Sequence, residues 1–281
     1  TEVLIDATLP GEEIARLLMF SDVQTAFLAD EVWEKISPDF QADMPIFRID
    51  RKTDTFGLVV DAGMPLVTQH AVDGERDVAA IIFSSGTTSE MKGVKVTYHS
   101  IVKAAEIIIR NARWKQRYRY LHVFPFNHIA GFAVAHAILF WGSELGMIEH
   151  MNASKLLGAL QTYEPDGFGM IPRVYESMEE RFFEELAKKG KTASFLMQSA
   201  LRVSGFFRKC FGLKLGKILF KKVTRQFLGK NIKYIGTGSA VCRESTSRFF
   251  LDMGLEWGNF YALTETDVPA VMTSRYDRYP V

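Results

Sequence analysis

The sequence predicts an α/β fold, a mostly parallel sheet covered by helices on both faces. Short apolar runs alternate with helical stretches along most of its 281 residues, the rhythm of repeated strand–helix units. The clearest strand candidate, Ala79–Phe83, is a continuous apolar run and not an alternating one, as expected of a strand buried on both faces. Hydrophobic residues make up 47% of the chain, enough to fill a large core.

An amphipathic helix is expected at Glu12–Leu18 and a strand at Thr25–Leu28. From about Pro38 to Asp77 the periodicity is weak, which predicts irregular connections with one or two short strands. Ala79–Phe83 runs directly into a Ser/Gly/Thr loop. Ser100–Arg113 reads as a helix with Ile101, Ala105, Ile108 and Ile109 on one side. A strand at Leu121–Phe126 and a buried helix at Ile129–Trp141 follow, then a strand at Glu144–Ile148 and a helix at Ala153–Thr162. Gly167–Ile171 reads as a strand, and Pro172 suits the first turn of a helix reaching about Lys188. Thr192–Lys230 departs from the rhythm, being helical, aromatic and basic. Strands at Ile232–Ile235 and Leu255–Tyr261 flank a helix at Glu244–Asp252.

Composition removes several function classes. Lys plus Arg is 34 and Asp plus Glu is 33, so no global charge asks for nucleic acid. The two cysteines, Cys210 and Cys242, are far apart and form neither a zinc motif nor a disulfide framework, so a reducing, cytoplasmic setting is expected. The opening residues lack the pattern of a secretory signal. The longest apolar run, Ile129–Trp141, is too short to span a bilayer. One membrane feature stays open: Lys214–Arg225, with Phe206, Phe207, Phe211 and Phe220 nearby, could touch an anionic lipid surface through residues 206–225. A solvated helix face is the alternative.

The segment Ser84-Ser85-Gly86-Thr87-Thr88-Ser89-Glu90-Met91-Lys92-Gly93-Val94 carries the chemistry. Small residues let backbone N–H groups approach an anion, hydroxyls flank Gly86, and Lys92 adds a cation. These are the parts that hold a polyphosphate. A Walker A loop is excluded by spacing: Gly93 follows the lysine, and no Ser or Thr comes next. A Ser/Thr-rich surface loop is the structural alternative.

This segment resembles the phosphate loop of the adenylate-forming superfamily, [ST]-S-G-[ST]-T-G-x-P-K-G-V, which includes acyl-CoA synthetases, luciferases and peptide adenylation domains. Ser89 and Met91 replace a glycine and a proline. Three further segments follow in the family's order. Phe124–Gly131 is similar to P-L-F-H-x-x-G, which implies that His128 borders the acyl and adenylate pocket; a histidine capping the next helix is the alternative. Gly236–Ala240 resembles S-G-G-A, which implies that Gly238, Ser239 and Ala240 lie against adenine and the acyl chain. Tyr261–Thr266 resembles Y-G-x-T-E-[TS]. That likeness implies adenine stacking on Tyr261, a phosphate contact for Thr264 and Mg²⁺ binding by Glu265, a hard oxygen ligand. Phe260 stands where glycine is usual, which would narrow the acyl channel. Ile171–Glu176 is similar to the V-P-R-[VL]-[FWY]-E run of long-chain acyl-CoA synthetases.

The resemblance covers nearly the whole chain, and Leu4–Pro10 looks like the family's linker into its second subdomain. Residues 1–281 would then be a partial AMP-binding N-terminal domain with its phosphate loop at 84–94. The family's Y-x-T-G-D motif and its small C-terminal domain with a catalytic lysine are not found in the sequence. The implied activity is activation of a carboxylic acid, a fatty acid above all, with ATP, Mg²⁺ and CoA. Ser84, Ser85, Gly86, Thr87, Thr88 and Lys92 would hold phosphates, and Lys92, Thr264 and Glu265 would be catalytic. The isolated chain is expected to be poorly active. An aryl or amino acid substrate, or a non-catalytic nucleotide-binding module, are the alternatives.

Overall fold

The computed structural model describes residues 1–36, 40, 44–49, 72–84, 91–112, 116–148, 153–264 and 269–272. It divides into two compact units, Thr1–Tyr98 and His99–Val281.

In the first unit, β1 (Glu2–Leu4) pairs parallel with β4 (Val78–Ser84), which pairs antiparallel with β5 (Lys92–Thr97). As the middle strand, β4 buries Ala80 and Ile82 almost completely, which explains its continuous apolar run. A separate parallel pair joins β2 (Ala26–Ala29) and β3 (Ile46–Ile49). Helix α1 (Gly11–Phe20) has Glu12 and Glu13 in its first turn, favourable against the helix dipole. It buries Ile14 and Leu18 in a small core with Ala26, Leu28 and Ile36. The short helix α2 (Asp30–Trp33) follows β2. The strand β5 is not foreseen by the sequence reading. Most of the expected irregular stretch from Pro38 to Asp77 lies outside the described residues.

The second unit contains α3 (Tyr98–Ala112) from its second residue on, β6 (Arg119–His122), α4 (Ile129–Phe140), β7 (Glu144–Met147), α5 (Ala153–Thr162), β8 (Gly167–Met170) and α6 (Pro172–Lys188). Next come α7 (Lys191–Phe211), α8 (Gly216–Leu219), α9 (Lys221–Leu228), β9 (Tyr234–Gly238), α10 (Glu244–Asp252), β10 (Glu256–Ala262) and β11 (Pro269–Met272). Its six-stranded sheet has the order β11-β10-β9-β8-β6-β7. Every pairing is parallel except that of β10 with the edge strand β11. Alternation along the strands supplies both faces. Leu121, Phe168, Met170, Ile235 and Trp257 pack with residues of α5, α6, α7 and α10, such as Leu160, Tyr175, Leu201 and Phe250. On the other face Tyr120 and Tyr234 pack with Ile138 of α4 and with Phe260.

Asp166 sets the register at the amino edge. Its carboxylate accepts from the Arg119 backbone N–H (2.9 Å) and from Lys233 Nζ (2.6 Å), while its carbonyl accepts from the Lys233 and Tyr234 N–H groups. One residue thereby ties β6 and β9 to the start of β8.

Two strand boundaries differ from expectation. β6 ends at His122 and not at Phe126: Pro125 cannot donate to a ladder, and the chain turns with the His128 N–H on the Pro125 carbonyl (3.1 Å). β9 runs through Gly236 and Gly238, which read as breakers in the sequence. Both lack a side chain where Phe260 of β10 passes: a Cβ at Gly236 would lie 2.8 Å from the Phe260 ring, and one at Gly238 would lie 2.9 Å from the Phe260 carbonyl oxygen.

Candidate functional site

In the first unit the antiparallel register sets Ser84 opposite Lys92. Directly opposed residues of such a pair present side chains to the same face. Ser84 and Lys92, at the two ends of the hydroxyl-rich segment, therefore leave the ladder on the same face. Ser84 is buried and Lys92 exposed. Lys92 opens a strand, whereas the lysine of a Walker A loop opens a helix, so the geometry agrees with the exclusion made on spacing. Ser85, Gly86, Thr87 and Thr88 lie outside the described residues.

In the second unit, β6, β8, β9 and β10 are parallel neighbours, so their carboxyl ends share one edge of the sheet. This edge is where ligands of open α/β sheets bind. The segments Phe124–His128, Gly238–Ala240 and Tyr261–Thr264 all leave the sheet there. His128, Gly238, Ser239, Ala240, Tyr261 and Thr264 thus all belong to segments that leave the sheet at this one edge. Glu265 lies outside the described residues.

Local geometry gives these residues their shapes. His128 occupies the N-cap position of α4, where its carbonyl accepts from the Phe132 N–H (2.9 Å), but its side chain makes no capping hydrogen bond. The ring is exposed and available for another task. Gly238 sits beside Phe260 in the register, and a Cβ there would come within 2.9 Å of the Phe260 carbonyl oxygen. Ser239 has φ +69°, the left-handed region. That conformation costs a serine about 1 kcal/mol more than a glycine, which accounts physically for glycine being usual at this position of the resemblance. Tyr261 exposes 57% of its surface, so a flat partner can reach its ring. The Phe260 ring contributes to the core with Tyr120, Tyr234 and Ile138, and also packs against Ala105, Ile108 and Ala137.

Two polar residues at this edge escaped the sequence reading. Thr237, 1% exposed, has a hydroxyl without a hydrogen-bond partner among the described residues. His122, the last residue of β6, is 2% exposed among Tyr120, Phe124 and Phe126, with the Phe126 ring 4.9 Å away. Neither of its nitrogens has a partner among the described residues. The signal was its period-two spacing from Tyr120, obscured because the strand was expected to begin at Leu121.

Burial pushes the His122 pKa down to about 4, with a small opposing effect from the Phe124 backbone. Above pH 6.5 the ring is largely neutral in both folded and unfolded chains, so its titration adds no pH dependence there. As pH falls below 6.5, the unfolded chain takes up a proton that the folded chain resists, so stability falls until about pH 4. Urea denaturation should show wild type losing about 2 kcal/mol more than His122→Leu between pH 7 and pH 5. Equal losses in the two proteins would remove this account.

Comparison with known proteins gives one family: the AMP-binding enzyme family matches residues 1–280. The chain is similar to fatty acyl-CoA synthetase B of Dictyostelium discoideum, 28% identical over 181 residues, which cover 61% of this chain and 26% of that protein. It is also similar to long chain acyl-CoA synthetase 8 of Arabidopsis thaliana, 24% identical over 222 residues, covering 73% of this chain and 31% of that one. Its fold matches the crystal structure of a long-chain-fatty-acid-CoA ligase (FadD1) from Archaeoglobus fulgidus with a TM-score of 0.73 at 16% identity, covering 98% of this chain and 50% of that one. The chain spans 26% and 31% of the lengths of these two curated relatives.

Proposed function

Because the chain belongs to the AMP-binding enzyme family, we propose that it supplies the nucleotide-binding part of an acyl-CoA synthetase that activates a fatty acid with ATP. The observation that carries this reading is the common edge shared by Phe124–His128, Gly238–Ala240 and Tyr261–Thr264, three strand ends whose residues suit one flat base and one acyl phosphate.

In the proposed reaction a carboxylate oxygen attacks the α-phosphorus of ATP and pyrophosphate leaves, giving an acyl-adenylate. The CoA thiol then attacks the acyl carbon and AMP leaves. Catalysis of this kind is positioning together with neutralisation of charge on phosphoryl oxygens. Thr87, Thr88 and Lys92 hold the β and γ phosphates, with Ser84, Ser85 and Gly86 shaping the turn. Thr264 donates to the α-phosphate, and Tyr261 stacks on adenine above Gly238, Ser239 and Ala240. His128 borders the acyl pocket, and Phe260 narrows it. Glu265, adjacent to Thr264 and a hard oxygen donor, is the residue that would hold Mg²⁺, which supplies charge neutralisation when bound. Residues 1–281 alone turn over poorly in this reading, since the family's late lysine is not among them.

Fatty-acid-dependent ATP–pyrophosphate exchange tests the proposal in the protein at its natural length. Glu265→Gln should lower kcat/KM by about 10²- to 10³-fold, and Lys92→Ala should raise the KM for ATP. An exchange rate indifferent to both substitutions, or supported by no carboxylic acid in a panel of fatty, aryl and amino acids, would refute it.

A further inference from the structure

Helix α7 turns a mixed face inward, with Met197, Ala200 and Leu201 against the core and polar groups beside them. Ser204 donates to the Asp252 carbonyl (2.6 Å), Arg208 bonds the Asp252 carboxylate through Nε and Nη2 (3.0 and 2.8 Å), and Gly205 lies against the same side chain. Leu201 is the main apolar contribution of this face to the core. The outward face is apolar instead: Phe195, Leu196, Val203 and Phe206 recur at helical spacing and are exposed, Phe195 by 69% and Phe206 by 57%. At the helix end Phe206, Phe207 and Phe211 form an aromatic cluster with centroids 5.5 to 6.2 Å apart. Gly212 then turns the chain at φ +69°, its N–H on the Arg208 carbonyl and that of Leu213 on the Phe207 carbonyl, a helix stop that only glycine makes without strain. Beyond it Ile218 is 78% exposed. Phe220, expected from sequence to share this surface, is buried in the core at 2% and does not.

Along the sequence that carries this apolar stripe the charge has one sign. Between Glu185 and Glu244 the sequence holds fourteen Lys and Arg and no Asp or Glu. Arg202, Lys209, Lys221 and Lys222 are exposed beside the stripe. Lys214 and Lys217 are instead tied to Glu256 (3.1 and 3.6 Å), which fixes the turn that carries Ile218.

The geometry points to a docking surface for an anionic lipid bilayer, formed by the outward face of α7, the α7–α8 turn and the lysines of α9. Apolar side chains would enter the acyl boundary while the flanking cations meet phosphate headgroups. Charge decides the occupant: a second copy of this face would bring like charges together, and an uncharged apolar partner would leave the cations unmatched. Among the described residues no helix is long and apolar enough to cross a membrane, so the contact is peripheral. It rests on this surface alone and stands or falls independently of the nucleotide chemistry.

Sedimentation with vesicles tests it, using the protein at its natural length and either phosphatidylcholine alone or phosphatidylcholine mixed with phosphatidylserine. The protein should pellet with the mixed vesicles, be released by salt, and bind phosphatidylcholine weakly. Lys221→Glu and Lys222→Glu should each weaken binding at least fivefold. Phe206→Asp with Ile218→Asp should abolish it, with circular dichroism and melting temperature unchanged because both sites are exposed. Failure to bind mixed vesicles would overturn the proposal, as would variants that bind like wild type. So would a change in self-association without a change in vesicle binding, or binding by residues 1–281 alone that the natural-length protein lacks, since its own remaining sequence would then be the occupant.

Discussion

Replacing Tyr175 with alanine is expected to destabilise the second unit by about 4 kcal/mol, measured by urea denaturation. The side chain is fully buried. Its ring meets Phe250 and Trp257 edge-on with centroids 5.4 and 5.0 Å away, and Phe168 at 5.8 Å. Its hydroxyl donates to the Gly236 carbonyl (3.0 Å) across the join between α6 and β9. Alanine removes both contributions and leaves a cavity that the surrounding rings cannot fill. Phenylalanine keeps the ring and loses only the hydrogen bond, so Tyr175→Phe should cost about 1 to 2 kcal/mol. The gap between the two variants measures packing. If Tyr175→Ala cost no more than Tyr175→Phe, the ring would not be holding the helix layer on the sheet. Gly236 lies two residues before Gly238, so the phenylalanine variant also tests whether a core hydrogen bond steadies the candidate site.

The same residue shows what the sequence made legible. The helix at Pro172–Lys188 was expected to about these bounds, and so was that at Ala153–Thr162, because each carries an apolar stripe at helical spacing, while the helix at Glu244–Asp252 was expected from its place between two strands. The parallel sheet followed from the strand–helix rhythm. What stayed hidden was decided by contacts distant in sequence. Nothing local announces that β5 pairs with β4, although Val94 and Val96 alternate with lysine and threonine, because glycine and lysine at its start read as loop. Gly236 and Gly238 looked like breakers, since the residue that fills their space, Phe260, comes from β10. At the candidate site, the segments Phe124–His128, Gly238–Ala240 and Tyr261–Thr264 were legible as motifs, but their common edge is a property of strand order. His122 was not legible as a site-edge residue, because its burial depends on aromatic neighbours that only the turn at Pro125 brings over it.

Gly131 should give the other large effect, and of the opposite sign to a superficially similar glycine. It lies in the first turn of α4, where the Phe124–His128 turn crosses directly above the helix. A Cβ there would fall 2.0 Å from the Pro125 carbonyl oxygen, 2.8 Å from its carbon and 3.1 Å from the Phe124 oxygen. All three are backbone atoms, so no side chain can rotate away; the turn itself must lift. Gly131→Ala is therefore expected to cost about 3 kcal/mol or more and to displace His128, whose N–H bonds the same Pro125 carbonyl. Gly158 supplies the control. It too is helical, in α5, but nothing lies within 4 Å of its added Cβ. There alanine only lowers the entropy lost on folding, and Gly158→Ala should stabilise by about 1 kcal/mol. Paired urea titrations separate the two accounts. If both substitutions stabilise, the turn carrying His128 does not press on α4, and the glycine of this segment reflects helix entry and not the close passage of two backbones.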